Sequence, residues 1–140
     1  KVACKLCGDT GKLIASDILP MDTLENVTFI QGDFREQAVF DNIMAEVADK
    51  KVEVVLSDMA PNTSGFSAVD QPRMIYLCEL AMDFAEQVLP EGGTLVIKVF
   101  QGEGSDALRK NMQQRFSKVR SIKPAASRAR SKEMYWIATK

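Results

Sequence analysis

The chain has 140 residues, of which 46% are hydrophobic and 26% charged, and its net charge is −1. This is the composition of a globular domain, and no apolar run approaches the roughly 20 residues of a membrane helix. Three cysteines without any histidine favour neither a disulfide framework nor a zinc site, so we expect a reduced, cytoplasmic protein with no metal.

Helices and strands alternate along most of the chain. A helix ends near residue 7, strands follow at 12–16 and 27–31, and apolar spacing predicts an amphipathic helix over 35–49. A buried parallel strand at 52–57 and a polar loop at 62–71 precede a long helix from Pro72 to about residue 89. A strand at 94–100, a helix capped by Ser105 and strands at 117–123 and 133–139 complete the chain. This order predicts an α/β fold in one domain over residues 1–140, with a mostly parallel sheet and an antiparallel strand at its C-terminal end.

Asp17 and Asp33 each follow one of the first two predicted strands. Ligands of α/β sheets bind beyond the carboxyl ends of the strands, where a carboxylate can accept two hydrogen bonds from a ribose diol. Asp17 could accept the hydrogen bonds of the ribose hydroxyls, and Asp33 could accept one from an adenine amine. Phe34 and Ile18 or Leu19 could form the apolar walls of this nucleoside pocket. Alternatively, each aspartate caps a turn.

Lys98 lies inside an apolar strand, where an unpaired ammonium group is costly. Either its side chain reaches the surface, or it has acidic partners. Asp58, at the end of the strand at 52–57, and Glu133, before the last strand, are available. We therefore expect the three side chains to meet at one rim of the sheet as a proton-handling group. For Asp58 a turn-capping role is the alternative.

Charge is unevenly distributed, because residues 1–100 carry a net charge of −8 and residues 101–140 one of +7. A basic end on an acidic body predicts a polyanionic partner, and Arg128, Arg130 and Lys132 in the loop at 124–132 could bind RNA phosphates. A solvated basic surface is the alternative.

Five segments resemble the FtsJ-type (RrmJ or RlmE) ribosomal RNA ribose methyltransferases. They are Ser-Asp-Ile-Leu-Pro-Met-Asp at 16–22, Gln-Gly-Asp-Phe at 31–34, Ser-Asp-Met-Ala-Pro-Asn at 57–62, Val-Ile-Lys-Val-Phe-Gln-Gly-Glu-Gly at 96–104 and Ser-Arg-Ala-Arg-Ser-Lys-Glu at 127–133. The resemblance spans nearly the whole chain, in order. It implies a Rossmann-like fold and methyl transfer from S-adenosylmethionine to a uridine 2′-hydroxyl of large-subunit ribosomal RNA. The implied partners are this RNA and the large ribosomal subunit, with no membrane contact, and we expect a monomer.

The resemblance also implies residue roles. Asp58, Lys98 and Glu133 match the last three members of the family's Lys-Asp-Lys-Glu catalytic tetrad, and Asp17, Asp33 and Asp58 match its cofactor ligands. The family's first tetrad lysine and its Gly-rich cofactor turn lie upstream of the residues present here. We therefore expect an N-terminally truncated chain that lacks the first, central strand of the sheet.

Three other functions fit the residues less well. The segment at 57–62 is distantly similar to the loop of amino-group methyltransferases, but an amine acceptor does not need Lys98 and Glu133. An RNA-binding remnant without cofactor is the second alternative. A nicotinamide dehydrogenase is the third, and it would lack its pyrophosphate-binding turn.

Overall fold

The structure, a computed structural model, describes residues 1–126 and 128–140. Within these residues the chain divides into two compact units, 1–50 and 51–140. The elements in chain order are α1 (Val2–Cys7), β1 (Leu13–Asp17), β2 (Val27–Gln31), α2 (Gln37–Val47), β3 (Val54–Ser57), α3 (Ser67–Val88), β4 (Thr94–Phe100), α4 (Ser105–Arg115), β5 (Lys118–Ile122) and β6 (Glu133–Thr139).

In the first unit, β1 and β2 form a parallel pair in which Asp17 lies opposite Gln31. Helix α2 contacts both strands. Its apolar stripe supplies the buried residues Val39, Ile43 and Val47. A Cβ atom at Gly32 would lie 2.5 Å from a methyl carbon of Val39, so only glycine allows α2 to approach the end of β2 this closely.

The second unit is built on a four-stranded sheet with the order β3-β4-β6-β5. Strands β3 and β4 are parallel, whereas β6 is antiparallel to both β4 and β5. The predicted α/β fold with an antiparallel strand at its C-terminal end is confirmed. The last strand of the chain does not lie at the edge but is inserted between β4 and β5.

The core of the second unit lies between one face of this sheet and helices α3 and α4. Along β4 every second residue is buried, as expected for a strand with one face on helices. Burial of each large apolar side chain contributes about 1.5–3 kcal/mol. The most deeply buried large apolar residues are Met74, Met82, Leu95, Ile97, Val99, Met112 and Trp136.

Helix α3 begins at Ser67, so the prediction that it begins at Pro72 is wrong. The carboxylate of Asp70 accepts hydrogen bonds from the backbone N–H and hydroxyl of Ser64, both 2.8 Å, and from the N–H of Gly65 at 3.2 Å. These bonds close the turn before the helix, and Gly65 has the left-handed φ of 86° that this turn requires. The helix therefore starts before Pro72.

The turn after β4 is held by two buried polar side chains. Gln71 donates its amide N–H to the carbonyl oxygen of Phe100 at 2.7 Å. Ser105 donates its hydroxyl to the carbonyl of Gly102 at 2.7 Å and accepts the N–H of the same residue at 3.3 Å. The prediction that Ser105 caps α4 is therefore wrong, because Gly104 occupies the cap position and the serine instead fixes the turn.

Strand β3 is parallel, as predicted, but it is not buried. Val54 and Leu56 are 53% and 65% exposed. Among the described residues β3 is hydrogen-bonded to one strand, β4. Its exposed residues, Val54 and Leu56, alternate with the less exposed Val55 and Ser57, as expected for a strand with one face towards the core. The apolar sequence predicted a buried strand, and burial depends on packing against both faces, which the sequence of the strand does not encode.

The cysteines are free thiols. Cys78 is buried, and burial, together with the charge of Glu79, raises the pKa of its thiol to about 12. Its sulfur donates to the carbonyl oxygen of Lys98 at 3.4 Å. In the described part of the chain no helix is long and apolar enough to cross a bilayer.

Candidate functional site

Lys98 and Asp58 form an ion pair at one end of the sheet. The Nζ atom of Lys98 lies 3.2 Å from Oδ1 of Asp58, and the two side chains are 11% and 73% exposed. The lysine is therefore enclosed while its partner faces solvent. The predicted pairing of an ammonium group in the apolar strand β4 with this carboxylate is what the structure shows.

The strand register explains this pairing. In β4 the core residues alternate with outward-facing residues, and Lys98 is one of the outward set. Strands β3 and β4 run in parallel with Leu56 opposite Val96, so the second residue after each lies at the same level. Asp58 is therefore delivered beside Lys98 just as β3 ends.

Tyr135 joins Lys98 and Asp58 to form the Lys98 cluster, and it was not predicted from the sequence. Its hydroxyl donates to Oδ1 of Asp58 at 2.9 Å, and in the sheet it lies directly opposite Lys98. Burial, the hydrogen bond to Asp58 and the negative charges of Asp58 and Glu133 raise the pKa of Tyr135. A phenol within the apolar run of β6, two residues after Glu133 and so on the same face, was the available signal.

Glu133 does not reach Lys98 in the structure. It lies opposite Phe100, two positions further along β4, and no ion pair within 4.0 Å joins it to Lys98 among the residues described. It shares the sheet face of Tyr135, and its charge contributes to the raised pKa of that phenol. The expected contact of three charged groups is therefore a contact of two, with the second carboxylate two residue pairs further along the sheet.

Asp17 lies at the end of β1, as predicted, and takes part in a local turn. Its Oδ1 accepts the backbone N–H of Leu19 at 3.0 Å. The amide of Gln31 donates to the carbonyl of Ile18 at 3.2 Å, which ties this turn to β2. Ile18 and Leu19 have exposed side chains. Asp17 therefore caps a turn, as the alternative interpretation predicted, and it uses one of its two carboxylate oxygens to do so.

Asp33 is paired with Arg35. The guanidinium group contacts both carboxylate oxygens, with 2.6 Å between Nη2 and Oδ2 and 3.0 Å between Nε and Oδ1. The hydrogen bonds from the Arg35 side chain and backbone hold the pKa of Asp33 below its usual value. Phe34 packs edge-on against Phe40, with ring centroids 5.6 Å apart. An adenine amine would therefore share Asp33 with the arginine.

Arg128, Arg130 and Lys132 are exposed, and the two arginines border a shallow concavity together with Ser131. The backbone N–H of Ser131 donates to the carbonyl of Arg128 at 2.9 Å, which folds the loop back. Ser127, the first residue of the motif at 127–133, lies outside the described residues.

Lys123 organises this loop and was not predicted. Its ammonium group donates to the backbone carbonyl of Ser131 at 2.8 Å and to that of Ala129 at 3.3 Å. An ammonium group bound to carbonyls from the loop fixes the backbone that presents the two arginines. A lysine directly after β5, just before the loop, was the only signal in the sequence.

Comparison with solved structures defines the class of protein. A crystal structure of a ribosomal RNA methyltransferase from Plasmodium falciparum matches 91% of this chain and 71% of its own length with a TM-score of 0.77 and 28% identity. A Streptococcus mutans methyltransferase crystallised with SAH matches 91% of this chain and 70% of that protein at a TM-score of 0.53 and 14% identity, which shows a shared fold only. The fold is that of the α/β methyltransferases.

The sequence matches the FtsJ-like methyltransferase family over residues 1–140, and the chain belongs to that family. It is 74% identical over its whole length to a Psychrobacter protein named ribosomal RNA large subunit methyltransferase E, of which it spans 67%. The predicted family membership is therefore confirmed, and the chain spans about two thirds of the length of that relative.

Proposed function

We propose that this protein transfers a methyl group from S-adenosylmethionine to a ribose 2′-hydroxyl, that of a uridine, in large-subunit ribosomal RNA. The observation that supports the proposal most is the enclosed Lys98 in contact with Asp58 at 3.2 Å. A second support is the name of the relatives, ribosomal RNA large subunit methyltransferase E. We further propose that it acts in the cytoplasm, as a monomer, on the large subunit or its RNA.

A ribose hydroxyl is a poor nucleophile, so the enzyme must orient it and help it lose its proton. Lys98 is the proposed group for this task, either as the base or as the cation that stabilises the developing alkoxide. Asp58 holds the amino group of Lys98 in place. Glu133 is proposed to act on the same sheet face, at a greater distance from Lys98.

We propose that residues of the first unit bind the nucleoside part of the cofactor. Asp17 has one carboxylate oxygen in its turn, and ribose hydroxyls are donors for the other. Asp33 is proposed to bind the adenine amine beside Arg35, with Ile18 and Phe34 as apolar contacts. S-Adenosylmethionine, when bound, supplies an activated sulfonium methyl group. We also propose that Asp58 binds the cofactor, because the family resemblance implies this role.

RNA binding is proposed for the loop that carries Arg128, Arg130 and Lys132. All three side chains are exposed cations, and the loop leads directly into Glu133 and the strand of Tyr135. Cations held on a folded loop can contact phosphates without reading the base sequence. These contacts would hold the RNA while the reactive ribose lies at the Lys98 cluster.

The test is Lys98→Ala in the full-length protein, assayed with tritiated S-adenosylmethionine and ribosomal RNA. We expect RNA methylation to fall by about 10²–10⁴-fold, the range for loss of a general base, with cofactor binding unchanged. Lys110→Ala is the matched control, because Lys110 is exposed on α4. Near-normal methylation by Lys98→Ala would refute the role of Lys98, and label recovered on a base would refute the ribose acceptor.

A further inference from the structure

Oδ1 of Asp58 is shared by two donors. It lies 3.2 Å from Nζ of Lys98 and accepts the hydroxyl of Tyr135 at 2.9 Å. The two donors come from neighbouring strands, because Lys98 and Tyr135 are directly opposite each other in β4 and β6. The carboxylate is therefore bound to both strands at the level of the lysine.

Asp58 needs such a constraint. Its side chain is 73% exposed, and it follows the last residue of β3, at the start of a stretch without regular structure that extends to Phe66. An ion pair in contact with water is screened and has weak directional preference. A phenol on a central strand, by contrast, donates along a fixed direction, because packing within the sheet limits its rotamers.

We propose that Tyr135 is a positioning residue for methyl transfer, which fixes the Asp58 carboxylate so that Lys98 points at the ribose hydroxyl. This inference rests on the proposed function and adds a residue to its machinery. Tyr135 acts through Asp58 and exchanges no proton with the substrate.

The chain offers a matched control, because it has two tyrosines. Tyr76 lies on α3 and is 48% exposed. Tyr135→Phe and Tyr76→Phe each remove one hydroxyl and keep the ring. We expect Tyr135→Phe in the full-length protein to lower kcat about tenfold, the scale of a hydrogen bond to a charged group in a partly exposed site. The KM for RNA and the Kd for S-adenosylmethionine should stay within twofold, and Tyr76→Phe should match the wild type.

A double-mutant cycle separates positioning from general structural support. If Tyr135 acts through Asp58, Tyr135→Phe should lower the single-turnover rate by less than twofold in an Asp58→Ala background, which offers the hydroxyl no acceptor. An equal tenfold loss in both backgrounds, or a kcat within twofold of wild type for Tyr135→Phe alone, would overturn the inference. If Lys98→Ala retains activity, the proposed function itself fails, whatever Tyr135→Phe does.

Discussion

Replacement of Gln71 by methionine should weaken the second unit through one unsatisfied carbonyl group. Gln71 is 6% exposed, and its amide donates to the carbonyl of Phe100 at 2.7 Å. Methionine is unbranched and of similar volume, so it fills the space without the donor. A buried acceptor that loses its partner costs about 1–3 kcal/mol, which is about a 5- to 150-fold increase in the unfolding equilibrium constant.

Space at this turn is limited, which restricts relaxation. A Cβ atom at Gly102 would lie 3.1–3.2 Å from the amide atoms of Gln71, so the two segments are already in close contact. Water therefore has little room to take the place of the amide. The full penalty should appear in the free energy of unfolding.

Urea denaturation followed by tryptophan fluorescence measures this effect directly. Trp136 is the sole tryptophan of the chain, and it is buried in the second unit, so the signal reports on that unit. Gln87→Met is the control, since Gln87 lies exposed on the same helix with its amide on the carbonyl of Asp83; its effect should stay within about 0.5 kcal/mol. Equal, small effects of both substitutions would refute the argument from the buried acceptor.

Three further predictions concern the basic loop and two titrating groups. Replacing Arg128 and Arg130 by alanine should weaken RNA binding at all sequences and reduce the slope of log K against log[salt] by about 1.4–1.8, as expected when two phosphates are no longer neutralised by the protein. An unchanged slope in a filter-binding titration would show that the two arginines contact solvent and not RNA. The pKa of Tyr135 in the folded protein is raised above the ordinary value of 10.0. The stability contributed by its protonated hydroxyl is therefore present below pH 10.0 and should be lost as pH rises through the folded pKa. Tyr135→Phe should make the loss of thermal stability at alkaline pH less steep, and an unchanged loss would contradict this. The pKa of Asp70 is lowered, chiefly by the hydrogen bond from the backbone N–H of Ser64. The stability contributed by its carboxylate is therefore present above about pH 3.8 and lost as pH falls through the folded pKa. Asp70→Asn should reduce the loss of stability in acid, measured by circular dichroism, and a loss as large as that of the wild type would contradict this.

The sequence by itself determined the elements and the identity of the paired charges. Local patterns predict strands such as β2 and β4, because the alternation of apolar residues and the enrichment in β-branched residues can be read from a short stretch of the chain. Lys98 was recognisable because an ammonium group within an apolar strand requires a partner. The family was recognisable because its motifs are long and in order, and residues 1–140 match it.

Only the tertiary structure decided which strands are neighbours. The insertion of β6 between β4 and β5 places Tyr135 opposite Lys98 and leaves Glu133 opposite Phe100, and no local pattern encodes that register. The exposure of β3 and the anchoring of the turn after β4 by Gln71 likewise depend on distant segments. Local propensity acts between residues close in the chain, whereas strand order and buried hydrogen bonds are set by packing between residues far apart in it.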